Sequence, residues 1–352
     1  MISLGFEIKL QEYVFADDVS FESCHASTLI AIPNGDLVAA WFAGTREGAD
    51  DVAIWSSRRT EGGWTPPVKV ADEEGEPHWN PVLFQEGNGK VWLFYKVGKT
   101  IRNWRTMYIL SEDEGITWTV PRLLVEDDSG GRGPVKNKLI VLQDGTWVAP
   151  ASLELDTWDA FADLSYDNGM TWVASEKVAL QQSEVAASAV PVKPVEVAVS
   201  DGPVSLVAET SLQGKGVIQP TLWESERGKV HMLLRSSTGY ILRSDSADCG
   251  KTWSAVYSTE LPNNNSGIDL VRMDNGALAL VYNPVGQNWG KRTPIVISLS
   301  RDNGATWGET LVLEDAPGEY SYPAIVSVGN DVFVSYTWKR SRIVFWQLTV
   351  TA

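Results

Sequence analysis

Six short turns punctuate this chain, and each is followed at once by a run of apolar residues. Asn34-Gly35 leads into Leu37-Val38-Ala39-Ala40, Asn88-Gly89 into Val91-Trp92-Leu93-Phe94, and Asp144-Gly145 into Trp147-Val148. Arg227-Gly228 leads into Val230-His231-Met232-Leu233, Asn275-Gly276 into Leu278-Ala279-Leu280, and Gly329-Asn330 into Val332-Phe333-Val334. Asn-Gly and Asp-Gly supply the positive φ angles of tight hairpins, so each turn predicts a pair of antiparallel strands. No long stretch carries apolar residues at helical spacing. The segment from Ser183 to Pro203, rich in Ala, Val, Pro and Glu, reads as a long surface connection or an extra strand pair.

A second pattern recurs in the same rhythm. Ser-x-Asp-x-Gly-x-Thr-Trp occurs at Ser111 to Trp118, Ser165 to Trp172, Ser246 to Trp253 and Ser300 to Trp307. A decayed copy, Ser57 to Trp64, keeps only the outer Ser and Trp. Successive starts lie 54, 54, 81 and 54 residues apart, which marks a chain of repeated supersecondary units. Asp and Gly suit a tight turn, and Trp is large enough to anchor it between neighbouring units. The alternative role for such a box, a Ca²⁺ site, wants six or more oxygen ligands where each turn offers one Asp. One hairpin and one box make three or four strands, and the interval of 81 marks a unit with a long excursion. The expectation is an all-β, six-bladed β-propeller with Asp-box repeats. One closed ring uses nearly everything from Phe21 to Trp346, so residues 1–352 are expected to form a single domain.

The formal charge of −16 disfavours nucleic acid and anionic membranes as partners. It leaves room for an acidic ligand held by a local group of cations. Two cysteines, Cys24 and Cys249, make no disulfide framework. MISLGFEIKLQEYVF has no basic flank before an unbroken apolar core, so neither a signal peptide nor a membrane span is expected, and a cytoplasmic location is the default. No metal cluster or phosphate loop stands out, so no cofactor or metal is expected. Oligomeric state is left open.

With boxes and hairpins in place, the chain resembles the sialidase (neuraminidase) superfamily, six-bladed propellers with repeated Asp boxes (BNR repeats). That resemblance implies three arginines on a substrate carboxylate, a Tyr nucleophile helped by a Glu, and an Asp as general acid. Carried over residue by residue, it places His25 where the first arginine would stand, in His25-Ala26-Ser27-Thr28-Leu29. It makes Asp50 or Asp51, in the loop from Gly44, the acid. Arg235 in Leu233-Leu234-Arg235-Ser236 stands as the second arginine and Arg292 as the third. Gln219, before Pro220, occupies the place of the helper Glu, and Tyr320 of Glu319-Tyr320-Ser321-Tyr322 is the nucleophile. Glu319 and Glu154 are the carboxylates that stand as substitutes for the lost Glu.

Further residues join the candidate pocket on their own account. His78, in Glu76-Pro77-His78-Trp79, lies in a lead-in loop equivalent to that of His25, while His231 sits within an apolar run and reads as core. The Gly-rich loop Gly130 to Lys138 gathers Arg132, Lys136 and Lys138, and Asn263-Asn264-Asn265-Ser266-Gly267 suits hydroxyl recognition or a turn. Cations gathered in an acidic protein point to an acidic oligosaccharide or glycoconjugate. The leading reading is an exo-acting glycoside hydrolase cleaving a terminal bond at a sialic acid-like or uronic acid sugar. The alternatives are a lyase acting by β-elimination next to a glucuronate, with His25 as base, and a non-catalytic glycan-binding propeller.

Overall fold

The computed structural model describes residues 5–126, 128, 131–178, 180 and 215–351; the segment Ser183 to Pro203 and Gly130 lie outside them. The first strand, β1 (Phe6–Tyr13), does not pair with the strand that follows it. Blade 1 holds β2 (Ser23–Ala31), β3 (Leu37–Gly44) and β4 (Ala53–Thr60), with β5 (Gly63–Trp64) and β6 (Val68–Ala71) along β4. Blade 2 holds β7 (His78–Gln85), β8 (Val91–Val97), β9 (Arg105–Ser111) and β10 (Arg122–Leu123). Blade 3 holds β11 (Ile140–Val141), β12 (Trp147–Glu154), β13 (Trp158–Ser165) and β14 (Val173–Ala174). Blade 4 holds β15 (Val217–Glu226), β16 (Lys229–Ser236), β17 (Tyr240–Ser246) and β18 (Tyr257–Pro262). Blade 5 holds β19 (Asp269–Arg272), β20 (Leu278–Tyr282), β21 (Ile295–Ser300) and β22 (Gly308–Glu314). Blade 6 holds β23 (Tyr320–Val328), β24 (Asp331–Trp338) and β25 (Arg342–Val350).

The expected six-bladed all-β propeller is the architecture found, and all six turns join the first two strands of a blade. One feature differs from the expectation that the ring starts near Phe21. β1 lies antiparallel to β25 as the outer strand of blade 6, from Phe6 opposite Val350 to Tyr13 opposite Val344. Its alternating sequence, FEIKLQEY, fits an edge strand with one wet face. The ring is therefore closed by hydrogen bonds between segments far apart in sequence.

The boxes are turns held by their own side chains. In the second copy Ser165 Oγ donates to Asp167 Oδ1 at 2.9 Å, and the Gly169 N–H donates back to Ser165 Oγ at 2.8 Å. Asp167 also accepts from the Thr171 N–H at 2.8 Å and from the Thr171 hydroxyl at 2.6 Å. The same four bonds recur at Asp113, Asp248 and Asp302. In each, the residue before the glycine is left-handed, from φ 56° at Asn168 to 64° at Cys249. The Thr117 hydroxyl and amide on Asp113 hold its carboxyl down at about 2. The decayed copy keeps Ser57 Oγ, but turns it to the Thr65 carbonyl.

The box tryptophans occupy the crevices between blades, where six separate apolar clusters form the core. Trp118 packs between blades 1 and 2, Trp172 between 2 and 3, Trp253 between 3 and 4, and Trp307 between 4 and 5. Trp64 of the decayed box does the same between blades 6 and 1. The remaining crevice, between blades 5 and 6, has no box and is filled by Trp346 and its neighbours. Each blade thus seals itself to the one before.

At the opposite end of the blades, the first strand of several units bulges. The ladder slips between His25 and Thr28, Trp79 and Val82, Ile218 and Thr221, and Ser321 and Ala324. The residue at each slip is left-handed: Ala26, Asn80, Gln219 and Tyr322, with φ between 42° and 55°. A bulge re-aims one side chain out of the strand's alternation. Here it aims side chains at the ring's axis.

Replacing Trp172 by Ala should cost about 3–5 kcal/mol of stability, the usual cost of emptying a buried indole site. Chemical denaturation monitored by fluorescence would show this as a lowered midpoint, larger than for the half-buried Trp118.

Candidate active site

A cavity of about 770 Å³ opens where these bulged strands converge. Its lining includes His25, Glu47, Glu154, Trp158, Arg235, Trp289, Arg292, Tyr322 and Arg340, from the strands and loops of five blades. Blade 2 contributes Thr100, Ile101 and Arg102 from the turn at Ile101–Asn103, and Arg102 is ion-paired with Asp156. A hollow of about 680 Å³ lies at the rim between blades 4 and 5, but its Arg243 and Tyr257 are both bonded to Asp245.

Tyr322 is the centre of the axial pocket. Its phenol oxygen accepts from Arg235 Nη1 at 2.8 Å and from Gln219 Nε2 at 3.4 Å, which leaves its own hydrogen to be donated elsewhere. Arg235 Nη1 also donates to Gln219 Oε1 at 2.9 Å, and its Nε donates to Asn265 Oδ1 at 3.0 Å. The guanidinium lies 5.4 Å from the ring of Trp158 and 5.8 Å from that of Trp289. Arg292 stands 5.7 Å from the Tyr322 ring and donates to Glu319 Oε1 at 2.8 Å. Arg340 reaches the same Glu319 oxygen at 2.7 Å and also pairs with Glu47 at 2.5 Å. Burial alone would raise the Glu319 carboxyl, but Arg340 and Arg292 together overcome that and hold it below its ordinary value.

A model of the BNR repeat-like domain matches residues 35–334. The chain belongs to that family. Solved structures similar to it include a protein of unknown function from Dyadobacter fermentans, at 17% identity and TM-score 0.76, covering 99% of this chain and all of that one. The Hadza microbial sialidase Hz136 is 18% identical with TM-score 0.75, over 96% of this chain and 68% of that one. The intramolecular trans-sialidase from Ruminococcus gnavus, solved with oseltamivir carboxylate, is 12% identical with TM-score 0.68, over 95% and 96%. At these identities the likeness is one of fold.

Within this BNR repeat-like propeller, six of the candidate residues read from sequence come together. His25, Glu154, Arg235 and Arg292 line the pocket, Gln219 touches both Arg235 and Tyr322, and Glu319 is held by Arg292 and Arg340. The others stand elsewhere. Tyr320 is 1% exposed in the crevice between blades 5 and 6, so the bulge delivers Tyr322 to the cavity in its place. Asp50 is exposed and paired with Lys99 at 2.6 Å, and Asp51 caps Thr45, accepting from its amide at 2.9 Å and its hydroxyl at 2.6 Å. From that loop it is Glu47 that reaches the cavity. Arg132 is bidentate to the buried Asp163, with both bonds 2.8 Å, and is structural. His78 is buried against the Val52 and Glu76 carbonyls and stacks on Tyr95, away from the pocket. Lys136 lies behind Tyr322, 5.9 Å from its ring, bonded to Asn137 Oδ1 and the carbonyls of Ile268 and Pro323. Lys138 is paired with Asp269 at 2.9 Å, and His231 with Asp245 at 2.5 Å.

The functional residues that sequence did not single out are Tyr322, Arg340, Glu47, Trp158 and Trp289. Arg340 sits in the last hairpin, where Lys339 and Arg340 are both left-handed, a position with no motif to mark it.

His25, which the sequence resemblance sets where an arginine was expected, is a buried imidazole at the pocket. Its Nδ1 is 2.9 Å from Thr337 Oγ1 on β24, and its ring centre is 4.2 Å from that of Tyr322. Burial, then the nearby cations Arg340, Arg292, Lys136 and Arg235, push it well below the ordinary histidine value of 6.5. Unfolding frees His25 to take up a proton near that value, so as pH falls below it the unfolded chain binds more protons and stability drops. His25→Gln, neutral throughout, should shrink the fall in melting temperature between about pH 7 and about pH 5. An unchanged fall would place the acid sensitivity in other groups.

Proposed function

We propose that this pocket removes a terminal acidic sugar, sialic acid-like or uronic, from an oligosaccharide or glycoconjugate by hydrolysis. The observation that carries this reading is the convergence of Arg235 and Arg292 beside Tyr322, both lining the cavity. Among the described residues, none takes a hydrogen bond from Nη2 of Arg235 or from Nε and Nη2 of Arg292. Paired guanidinium donors match a carboxylate, and charge-assisted bonds of this kind contribute roughly 1.5–3 kcal/mol each. Arg340, fixed by Glu47 and Glu319, adds positive potential to the same wall.

In this scheme Tyr322 attacks the anomeric carbon and forms a glycosyl–tyrosine intermediate that water then opens. Gln219 cannot take the phenol proton. His25, a neutral imidazole whose ring centre lies 4.2 Å from that of Tyr322, is assigned that proton here. The same neutrality favours one second reading, β-elimination next to a uronate carboxylate. There His25 removes the proton beside the carboxylate while an arginine neutralises the developing charge.

Tyr322→Phe should abolish turnover while Tyr320→Phe leaves it within about two-fold, since only the former carries its hydroxyl into the cavity. Loss in the Tyr320 variant alone would return the nucleophile to that residue. Arg292→Ala should raise KM for an acidic substrate by about ten- to a hundred-fold, the loss expected for one charge-assisted pair. Unchanged kinetics would remove the acidic-sugar reading. Following reducing sugar and ultraviolet absorbance together on sialylated and uronic-acid glycans separates the two chemistries, because only elimination leaves an unsaturated uronate.

A further inference from the structure

Breaking a glycosidic bond releases an alcohol, and the departing oxygen needs a proton as the bond lengthens. Two carboxyl groups line the pocket, Glu47 and Glu154. Glu47 is committed to Arg340 through a short ion pair. Asp50 and Asp51 are held outside by Lys99 and Thr45.

Glu154 is in a different condition. It ends β12, opposite Trp158 of β13, so the hairpin that supplies the aromatic wall also delivers the carboxyl. Its Oε1 is shut off from solvent and takes no hydrogen bond, one of few such buried side-chain atoms among the described residues. Among the described residues no cation is paired with it. Burial raises its affinity for a proton, with Arg235 and a hydrogen bond from Gln219 only partly opposing. Gln219 also faces the Tyr322 oxygen, so one amide lies between the phenol and this carboxyl. The carboxylate that the Gln219 position lacks is thus present one blade away, on the far side of the same amide.

We propose that Glu154 is the general acid of this pocket, donating its proton to the departing glycosidic oxygen; this rests on the acidic-sugar reading above. As Tyr322 bonds to the anomeric carbon, its phenol proton passes to His25, the bond to the leaving oxygen breaks, and that oxygen takes the Glu154 proton. Glu154, now a carboxylate beside Arg235, accepts a proton from the water that attacks the glycosyl–tyrosine. The phenolate then recovers its proton from His25, and both groups return to their starting state.

The test compares wild type and Glu154→Gln on two substrates bearing the same acidic sugar, one linked to 4-nitrophenol and one to a sugar alcohol. Nitrophenolate leaves without a proton. In kcat/KM, which covers the steps up to departure of the leaving group and not the later attack of water, the variant should therefore stay within several-fold of wild type on the first and lose about 10²- to 10⁴-fold on the second. It should also lose the basic limb of the kcat/KM profile on the second substrate. Equal loss on both substrates, or no loss on either, would overturn the assignment while leaving the acidic-sugar reading standing. A wild type inactive on both would remove that reading and this assignment with it. Should the variant fail to fold by circular dichroism, Glu154→Asp, which keeps the acid but shortens its reach, is read by the same ratio: a loss confined to the sugar-alcohol substrate supports the role, an even loss overturns it.

Discussion

A single buried lysine ties the ring across its own axis. Lys136 Nζ reaches Asn137 Oδ1 in its own segment, the Ile268 carbonyl leading into blade 5 and the Pro323 carbonyl of blade 6. Three oxygens take up the three protons of an ammonium, while burial, only partly opposed by Asp269, pulls its pKa down to about 7. Its neighbours extend the tie. Asn137 donates to the Gln219 and Pro220 carbonyls at 3.1 and 2.9 Å, and Lys138 pairs with Asp269, which also accepts from Thr221 and the Ile325 amide. Three consecutive residues of blade 3 therefore join blades 4, 5 and 6 at the channel. A propeller's adjacent blades are sealed by apolar crevices, but nothing apolar spans the axis; here polar bonds do so.

The candidate site is built on that tie. The Lys136 chain and the Tyr322 ring meet over Gly267, where an added Cβ would come within 3.3 Å of one and 3.4 Å of the other. Bulges then turn His25 and Tyr322 toward each other from blades 1 and 6, and Arg235 is gripped by Gln219, Asn265 and three aromatic rings. Rigid strands place these groups and carry Glu154 at the end of β12, and the loops above contribute the rim residues Arg102 and Trp289. Such a division between fixed floor and changeable rim is what lets one family carry several chemistries.

The fold was legible because its signals are local. A turn glycine, a Ser–Asp–Thr bonding pattern and a plug-sized Trp each act within a few residues, and each recurs. Much of the legible site sits on the same regular framework, as His25, Gln219 and Arg235 do, while Arg292 was legible from its place shortly before the last box. Ala26, Asn80 and Gln219 each lie nine residues before the turn glycines Gly35, Gly89 and Gly228. Counting the same distance back from Gly329 lands on Tyr320, because β23 and β24 are joined by two residues with the glycine first, where the turns after β2 and β7 span five, and because β23 lacks the second slip that β15 has between Glu224 and Glu226. The displaced bulge carries Tyr322 into the cavity instead. Arg340 and Glu47 could not be found this way, since their positions depend on Glu319 and on each other rather than on any repeat. The closing role of β1 was hidden for a similar reason: its partner lies at the other end of the sequence.

That closure sets the order in which the molecule can become competent. His25 meets Thr337, and Ser27 meets Ser335, only when blade 1 lies against blade 6. Blade 6 in turn is completed by β1 on its outer edge. A nascent chain with five finished blades would have a stable arc of crevices and no cavity, since Tyr322 and Arg340 would still be unmade. Ligand affinity is then a report on the last step of assembly. The binding energy of any ligand held in this cavity would act on the seam between first and last blades, so occupancy should hold the ring shut against the opening motion its topology most readily permits.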